Sequence, residues 1–217
     1  MVLRILLKPH FQTQCFRLSK QIRNMSASLP TQAKPPSQNN LVWIDLEMTG
    51  LDITKDHIIE IACIITNKNL EILDMKDVVI HQPEEVLENM NDWCKDHHGK
   101  TGLTQAVRAS TVTLTEAEQS VLELVRKHCP EKGCPVAGNS VYMDRLFLYR
   151  YMPALNEYLH YRIVDVSTIK EVCRRWNGAI FSRAPPKVLN HRALDDIKES
   201  IKELQYYKQF MFQNQRS

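Results

Sequence analysis

The chain has 217 residues, of which 43% are hydrophobic and 24% charged, a composition typical of a globular protein with one complete domain and an appendage. No stretch approaches the roughly 18 uninterrupted apolar residues of a membrane span, which excludes a membrane-spanning protein. The net charge is +3, but residues 1–40 contain six Lys or Arg and no acid, so the other 22 basic and 25 acidic residues give residues 41–217 a charge of −3. This body has no general attraction for long polyanions, which bind through many basic contacts to phosphates.

The start of the chain is typical of a mitochondrial targeting signal. Met1–Phe11 interleaves basic residues with Leu, Ile and Phe and contains no acid, as transit peptides do. Arg4 and Lys8 interrupt any apolar run of the length that a secretory signal needs. The alternative is a disordered basic tail without a targeting function. Met25 could also serve as an internal start, which would leave a cytosolic or nuclear form.

A linker separates this tail from the body. Leu29–Asn40 is rich in proline and polar residues, a composition that often precedes a folded domain. We therefore expect residues 1–40 to form a tail and linker, and residues 41–217 to form a single domain.

The six cysteines indicate neither a disulfide framework nor a zinc site. None of them belongs to a Cys-x-x-Cys motif. Cys94, His97 and His98 resemble half of a zinc site, but no second Cys/His pair stands at ligand spacing. We expect reduced thiols of an intracellular protein.

Three strands are predicted at the start of the body. Leu41–Glu47, His57–Thr66 and Leu70–His81 are apolar runs, the second especially rich in β-branched residues, as strands are. The connections between them are short and polar, which favours an antiparallel meander.

The hydrophobic periodicity then changes to that of helices. Apolar residues at helical spacing predict a helix over Glu116–His128. A short strand is predicted at Pro135–Ala137, and further helices over Arg145–Met152, Asp165–Trp176 and Arg192–Phe212. Three strands followed mainly by helices, with one inserted strand, predict an α/β fold with a mixed sheet covered by helices.

Two carboxylates at the end of the first strand are the first candidate site residues. Asp45 and Glu47 stand at i and i+2, so both project to one face of the strand while Leu46 faces the other way. Two buried like charges are expensive unless a cation compensates them. Oxygen ligands without His or Cys favour Mg²⁺ or Mn²⁺.

Two later acids are placed beside the core by helical periodicity. Asp144 aligns with Leu148 at i+4 on the apolar side of its helix, and an inward acid needs a partner. In the last predicted helix, Asp196 falls next to the apolar stripe, whereas Asp195 turns toward the charged face. We assign Asp196 to the site and Asp195 to the surface. His191 could reach the site if it precedes that helix; otherwise it is a capping or surface histidine.

Four segments, in this order, resemble the motifs of one enzyme family: IDLEMTGLD (Ile44–Asp52), GNSVYMD (Gly138–Asp144), HYRIVDVST (His160–Thr168) and HRALDDI (His191–Ile197). They are similar to the oligoribonuclease family, or small fragment nucleases, which are DEDD exonucleases with a histidine in the last motif. The resemblance extends from Leu41 to Phe212. It implies a ribonuclease H-like three-layer α/β/α fold, a homodimer, and 3′→5′ hydrolysis of very short oligoribonucleotides to 5′-mononucleotides.

The resemblance also implies a role for each matching residue. It implies that two Mg²⁺ or Mn²⁺ ions are bound by Asp45, Glu47, Asp144 and Asp196. It also implies that His191 is the general base. Tyr161 would be donated across the dimer interface into the neighbouring site. Leu51 and His98 would wedge against two bases, and the 5′ phosphate would be capped by Ser140, Arg162, Ser167 and Thr168. The less family-like stretch Arg174–Leu189, with Asn190, is expected to be a variable loop.

Two other functions could use the same residues. A DNA-proofreading or structured-RNA exonuclease would require a basic groove, which a body charge of −3 does not indicate. A dimeric RNA-binding scaffold would be expected to have lost a site residue, and the acids and His191 are all present. The chemistry independently favours a hydrolase, because two metals can hold the attacking and leaving oxygens together and an imidazole can accept a proton near neutral pH.

Overall fold

The computed structural model describes residues 35–186 and 192–213. One sheet is formed by strands β1 Leu41–Met48, β2 Ile58–Thr66, β3 Ile72–Val79, β4 Pro135–Gly138 and β5 His160–Asp165. Its strand order is β3-β2-β1-β4-β5. The first three strands pair antiparallel, which confirms the predicted meander. β4 and β5 extend the sheet in parallel with β1, so the sheet is mixed, as predicted.

The helices of the described residues are α1 Glu84–Glu88, α2 Asp92–Lys100, α3 Leu103–Ala109, α4 Leu114–His128, α5 Tyr142–Tyr151, α6 Pro153–Tyr158, α7 Val166–Trp176, α8 Gly178–Phe181 and α9 Ala193–Tyr207, which continues into a π-helical segment, Lys208–Gln213. All four predicted helices are present. The short helices α1–α3 and α6, and the strand β5, were not predicted. The expectation of a loop from Arg174 was wrong in part, because α7 continues to Trp176 and Asn177 then caps α8 by accepting from the Ile180 N–H.

Helices cover both faces of the sheet. Alternate residues of β1 pack on opposite sides: Ile44 joins a core with α4 and α5, whereas Trp43 joins a core with α7 and α9. Every residue of β2 is buried, as expected of a central strand covered on both faces. The three-layer α/β/α arrangement is therefore confirmed.

Helix α4, which packs in the core that contains Ile44, has a well-defined start. Thr113 accepts from the Glu116 N–H, and Glu116 accepts from the Thr113 N–H, which completes a capping box at α4. A cap of this kind stabilises a helix by about 1 kcal/mol. The other end of α4 holds the incoming chain, because the His128 carbonyl accepts from the Ser37 N–H and from the Asn40 side chain.

Several predicted features, Met25 and Asn190 among them, lie outside the described residues. The transit-peptide segment Met1–Phe11 lies outside the described residues, and so does His191. Within the described ranges, no helix has the length and apolar character needed to cross a membrane.

Candidate active site

The first strand presents two carboxylates to the layer that contains α9. Asp45 and Glu47 lie on the Trp43 side of β1, while Leu46 is buried in the opposite core. In the register with β2, Asp45 is opposite Ala62 and Glu47 is opposite Glu60. Both acids therefore face α9, the helix in which most of the last predicted motif lies.

That helix brings a third carboxylate to the strand. Oxygen atoms of Asp45, Glu47 and Asp196 all lie within 4.8 Å of one another. Asp195, one residue earlier, instead accepts from the Lys198 ammonium at 3.1 Å and is half exposed. The structure thus places Asp196 in the cluster and Asp195 on the surface.

The fourth predicted acid reaches the site from another helix. Asp144, in the first turn of α5, is buried, and its Oδ1 accepts from the Leu46 N–H at 2.9 Å. This bond holds Asp144 against the backbone between Asp45 and Glu47. Among the described residues it is not part of the group whose oxygens all lie within 4.8 Å of one another.

Burial and mutual repulsion perturb these acids strongly. Burial, followed by repulsion from Glu60 and the site acids, raises the pKa of Glu47 to about 8, although Arg192 opposes the change. Burial raises the pKa of Asp144 to about 7 against the hydrogen bond from Leu46. Burial and the neighbouring acids also raise the pKa of Asp45 well above its ordinary value.

These shifts and the donor set fit a divalent cation. Without a cation, burial and mutual repulsion favour the protonated forms of Asp45, Glu47 and Asp144. A divalent ion could replace those protons and compensate the repulsion. Carboxylate oxygens without His or Cys in the cluster suit Mg²⁺ or Mn²⁺.

The loop after β1 carries Leu51 beside the acids. Asp56 ties this loop together by accepting from the Thr49 hydroxyl at 3.0 Å and from the Asp52 N–H at 2.8 Å. A Cβ added at Gly50 would lie 2.3 Å from Asp56 Oδ2, so a larger residue there would displace the Asp56 carboxylate from these hydrogen bonds. Leu51 consequently projects into solvent, with 67% of its surface exposed.

A cavity of about 360 Å³ opens next to Glu47 and under Leu51. His98 is one of its lining residues but is itself buried, donating from Nε2 to the Met48 carbonyl at 2.9 Å. Its Nδ1 lies 3.8 Å from Glu47 Oε2. Trp93 also lines the cavity, is 64% exposed and stacks on the His97 ring at 4.5 Å between centroids.

Trp93 was not predicted from the sequence. The available signal was a tryptophan among polar residues, a position at which a large aromatic side chain is exposed. An exposed aromatic ring beside a cavity is a typical surface for stacking a base.

A second group of predicted residues meets where β4 and β5 end. The Ser140 N–H donates to Asp165 Oδ1 at 2.9 Å and to Ser167 Oγ at 3.0 Å. Ser140 has a φ of 52°, a conformation that non-glycine residues seldom adopt. Asp165 also accepts from the Ser167 N–H, so one carboxylate holds both serines together, and Thr168 follows in the chain.

Two predicted residues stay apart from both groups in the described chain. Arg162 is exposed and makes no hydrogen bond to Ser140 or Ser167; its guanidinium carbon lies 5.0 Å from the centre of the Tyr161 ring. Tyr161 is 73% exposed on β5, an edge strand of the sheet.

An ion pair at the edge of the site was also not predicted from the sequence. Glu60, the third residue of β2, is fully buried and is paired with Arg192, with Nη2 2.6 Å from Oε1. A lone acid in the apolar run IIEIACIIT was the available signal, since a buried charge requires a partner. The identity of that partner could not be derived from the strand itself.

Comparison with known proteins identifies the family. Residues 42–204 match the family described as Exonuclease (RNase_T). The human protein named "Oligoribonuclease, mitochondrial" is 57% identical over 173 residues, covering 79% of this chain and 73% of that protein. The chain belongs to the oligoribonuclease family of exonucleases. It is therefore a nuclease that hydrolyses phosphodiester bonds, and the resemblance read from the four motifs is confirmed.

Other relatives of the oligoribonuclease family come from distant organisms. The "Probable oligoribonuclease" of Drosophila melanogaster is 47% identical over 207 residues, covering 94% of this chain and 98% of that protein. The "Oligoribonuclease" of Chromobacterium violaceum is 49% identical and covers 79% of this chain and 94% of that protein.

A solved structure shares the fold. The zinc-bound complex of Escherichia coli exonuclease I with single-stranded DNA matches with a TM-score of 0.64 at 16% identity. The match covers 80% of this chain but only 41% of the exonuclease I chain. At this identity it supports the ribonuclease H-like fold alone.

Proposed function

We propose that this chain is a 3′→5′ exoribonuclease that degrades very short oligoribonucleotides, dinucleotides above all, to 5′-mononucleotides as the final step of RNA turnover. The observation that carries the proposal is the cluster of Asp45, Glu47 and Asp196 on the fold of an exonuclease family. The relatives' name, oligoribonuclease, points to the same substrate class.

The metal ligands in this proposal are Asp45, Glu47, Asp144 and Asp196, which would hold two Mg²⁺ or Mn²⁺ ions. Such a pair of ions supplies charge neutralisation at the attacking and leaving oxygens of the phosphodiester. His191 accepts the proton of the attacking water, a role that suits an imidazole near neutral pH. Asp144 keeps its orientation through the Leu46 N–H.

The cavity beside Glu47 supports binding of bases. Leu51 is an exposed apolar side chain at its rim, and Trp93 adds an aromatic face there. His98 lines the same cavity and would wedge against a base, with its ring held by the hydrogen bond to the Met48 carbonyl. Stacking of a base on an aromatic side chain contributes about 1–3 kcal/mol to binding. Contacts to two bases can therefore replace the affinity that longer RNA obtains from many phosphates.

The serine cluster supports a closed 5′ end. The hydroxyls of Ser140 and Ser167 lie 3.3 Å apart near the start of α7, and Thr168 follows in the chain. The N–H groups of Ser140 and Ser167 donate to Asp165, so the hydroxyls are the groups that would receive a phosphate. Arg162 would add a guanidinium to the 5′ phosphate. A third nucleotide would have to displace this cap, which is the physical basis for the preference for dinucleotides.

A second copy of the chain would complete the site. Large side chains are exposed on one face of α5 and on the edge strand β5: Tyr142, Leu146, Tyr149, Tyr161 and Ile163. The first three stand at i, i+4 and i+7, which places them on one face of the helix. We propose that a homodimer covers this face and that Tyr161 reaches the partner's site. Sedimentation of the purified chain should give a dimer, and a monomer with full activity would contradict this assignment.

The compartment follows from the basic start of the chain. We propose import into mitochondria through residues 1–30, in line with the mitochondrial name of the human relative, with Met25 as the start of a form outside mitochondria. A reporter fused to residues 1–30 should enter mitochondria, and Arg4→Glu with Lys8→Glu should weaken its import. A reporter that stays in the cytosol would leave this segment as a basic tail.

An assay of RNA length tests the proposed function directly. Purified protein is incubated with 5′-labelled RNAs of two to twenty nucleotides, with Mg²⁺ or Mn²⁺ and with EDTA. We expect metal-dependent hydrolysis that is fastest on dinucleotides. A preference for ten-nucleotide RNA would instead indicate a general exonuclease with an open groove, and binding without hydrolysis would indicate a scaffold.

A further inference from the structure

One buried acid beside the site lies outside the set of metal ligands. Glu60 is the third residue of β2, a strand whose other residues are all buried and mostly apolar, and its side chain is fully inaccessible. It is opposite Glu47 in the strand register. Burying a carboxylate next to another carboxylate is costly, so its presence requires a specific compensation.

The compensation comes from the start of α9. Arg192 donates to Glu60 from Nη2 at 2.6 Å and from Nε at 3.1 Å. Glu60 Oε2 also lies 3.3 Å from the Ala193 N–H, which donates to it. The first N–H groups of a helix have no partner inside the helix, and Arg192, at the N-cap position, makes no side-chain cap of its own. A carboxylate from a distant strand therefore supplies an acceptor for this helix start.

We infer that Glu60 and Arg192 are positioning residues that anchor the first turn of α9 to β2 and thereby hold Asp196 against Asp45 and Glu47. This inference rests on the proposed function of the acid cluster. Asp196 is three residues after Ala193, which is about one helical turn. A rotation or shift of the anchored turn would move the Asp196 carboxylate directly.

Stability alone does not account for such a pair. A buried ion pair is often no more stabilising than well-packed apolar residues, whereas loss of one partner leaves an uncompensated buried charge. Here the pair joins the strand opposite Glu47 to the helix that carries Asp196, and Arg192 also occupies the Glu60 oxygens. Without Arg192, only the Ala193 N–H would still bind the Glu60 carboxylate, which would then compete with Glu47 for the same cation.

The test compares Arg192→Gln and the double variant Glu60→Gln/Arg192→Gln with the full-length wild type. Mn²⁺ binding is measured by calorimetry, amide exchange at residues 193–197 by mass spectrometry, and dinucleotide hydrolysis as separate kcat and KM values. The control is Asp195→Asn, which removes the exposed ion pair with Lys198 from the same helix.

We expect Arg192→Gln to weaken Mn²⁺ binding at least tenfold, to accelerate exchange at the start of α9, and to lower kcat at least tenfold with KM changed less than threefold. The double variant contains no unpaired buried charge, so it should fold while still binding Mn²⁺ at least threefold more weakly than the wild type. The control should leave Mn²⁺ affinity, exchange and kcat within twofold of the wild type.

The outcomes separate positioning from a purely structural role. If Arg192→Gln does not fold, Mn²⁺ binding and amide exchange of the double variant test the inference. Wild-type Mn²⁺ affinity and exchange in the folded variants would overturn the inference, even with a lowered melting temperature. If the wild type binds Mn²⁺ but does not cleave short RNA, the proposed function fails, while the binding and exchange measurements still test the anchoring of Asp196.

Discussion

Neutralising one site carboxylate should stabilise the metal-free protein. Glu47 is only 15% exposed, and burial with the neighbouring acids raises its pKa from 4.5 to about 8. In the unfolded chain it would titrate at its ordinary value. Glu47→Gln retains the shape of the side chain and removes its charge, so the variant avoids the free-energy cost of ionising this buried carboxylate.

The sign and size of the effect follow from the two pKa values. Because the folded state binds the proton more tightly than the unfolded state, the wild type loses stability as the pH rises from about 4.5 to about 8. At about 1.36 kcal/mol per pKa unit, the difference between variant and wild type is near zero at pH 4.5 and about 2 kcal/mol at pH 6. Above pH 8 it approaches a ceiling of about 5 kcal/mol.

Urea unfolding in EDTA at pH 4.5, 6 and 8.5 measures this difference. Asp195→Asn is the matched control, because it neutralises an exposed acid on the same helix as Asp196 and retains Glu47. Its free energy of unfolding should follow that of the wild type from pH 4.5 to pH 8.5. Added Mn²⁺ should reverse the order, since the wild type alone retains the full ligand set. A Glu47→Gln curve parallel to that of the wild type from pH 4.5 to 8.5 would refute the argument.

The remaining predictions concern turnover. Asp196→Ala should nearly abolish hydrolysis with the fold retained, whereas Asp195→Ala should be mild; equal losses in a dinucleotide assay would contradict the placement of the two acids. His191→Ala should lower kcat by about 10²–10⁴ with substrate binding largely kept, and an unchanged kcat would reduce the histidine to a cap. Arg162→Ala should slow cleavage of dinucleotides more than that of ten-nucleotide RNA; an equal effect on both lengths would rule out a capped 5′ end.

The strands and helices that could be predicted are those whose sequences show a local hydrophobic periodicity. The strands β1–β3 were found within two residues of their observed ends because their apolar runs are long and their connections short. β5 was missed because its middle residues, Tyr161–Ile163, are exposed at an edge, so no apolar pattern marks it. The helices α1–α3 contain five to nine residues each, too few to establish a helical period.

The same distinction applies to the site. Asp45 and Glu47 could be paired because residues at i and i+2 of a strand share a face, and Asp196 could be separated from Asp195 by a helical wheel. Ser140 and Ser167 meet through a direct hydrogen bond and through the Asp165 carboxylate, tertiary contacts between the ends of β4 and β5 that no local pattern encodes.

The pairing of buried charges is the feature of the site that the local sequence pattern predicts least. The lone acid in β2 predicts that Glu60 has a cationic partner, but any of the 28 Lys and Arg residues of the chain could supply it. The observed partner is 132 positions away and becomes its neighbour only after α9 has packed on the sheet. The contact that satisfies the buried acid is therefore also the contact that orients Asp196. Because of this coupling, a mutation in the core of β2 should alter metal binding at a ligand that belongs to another element.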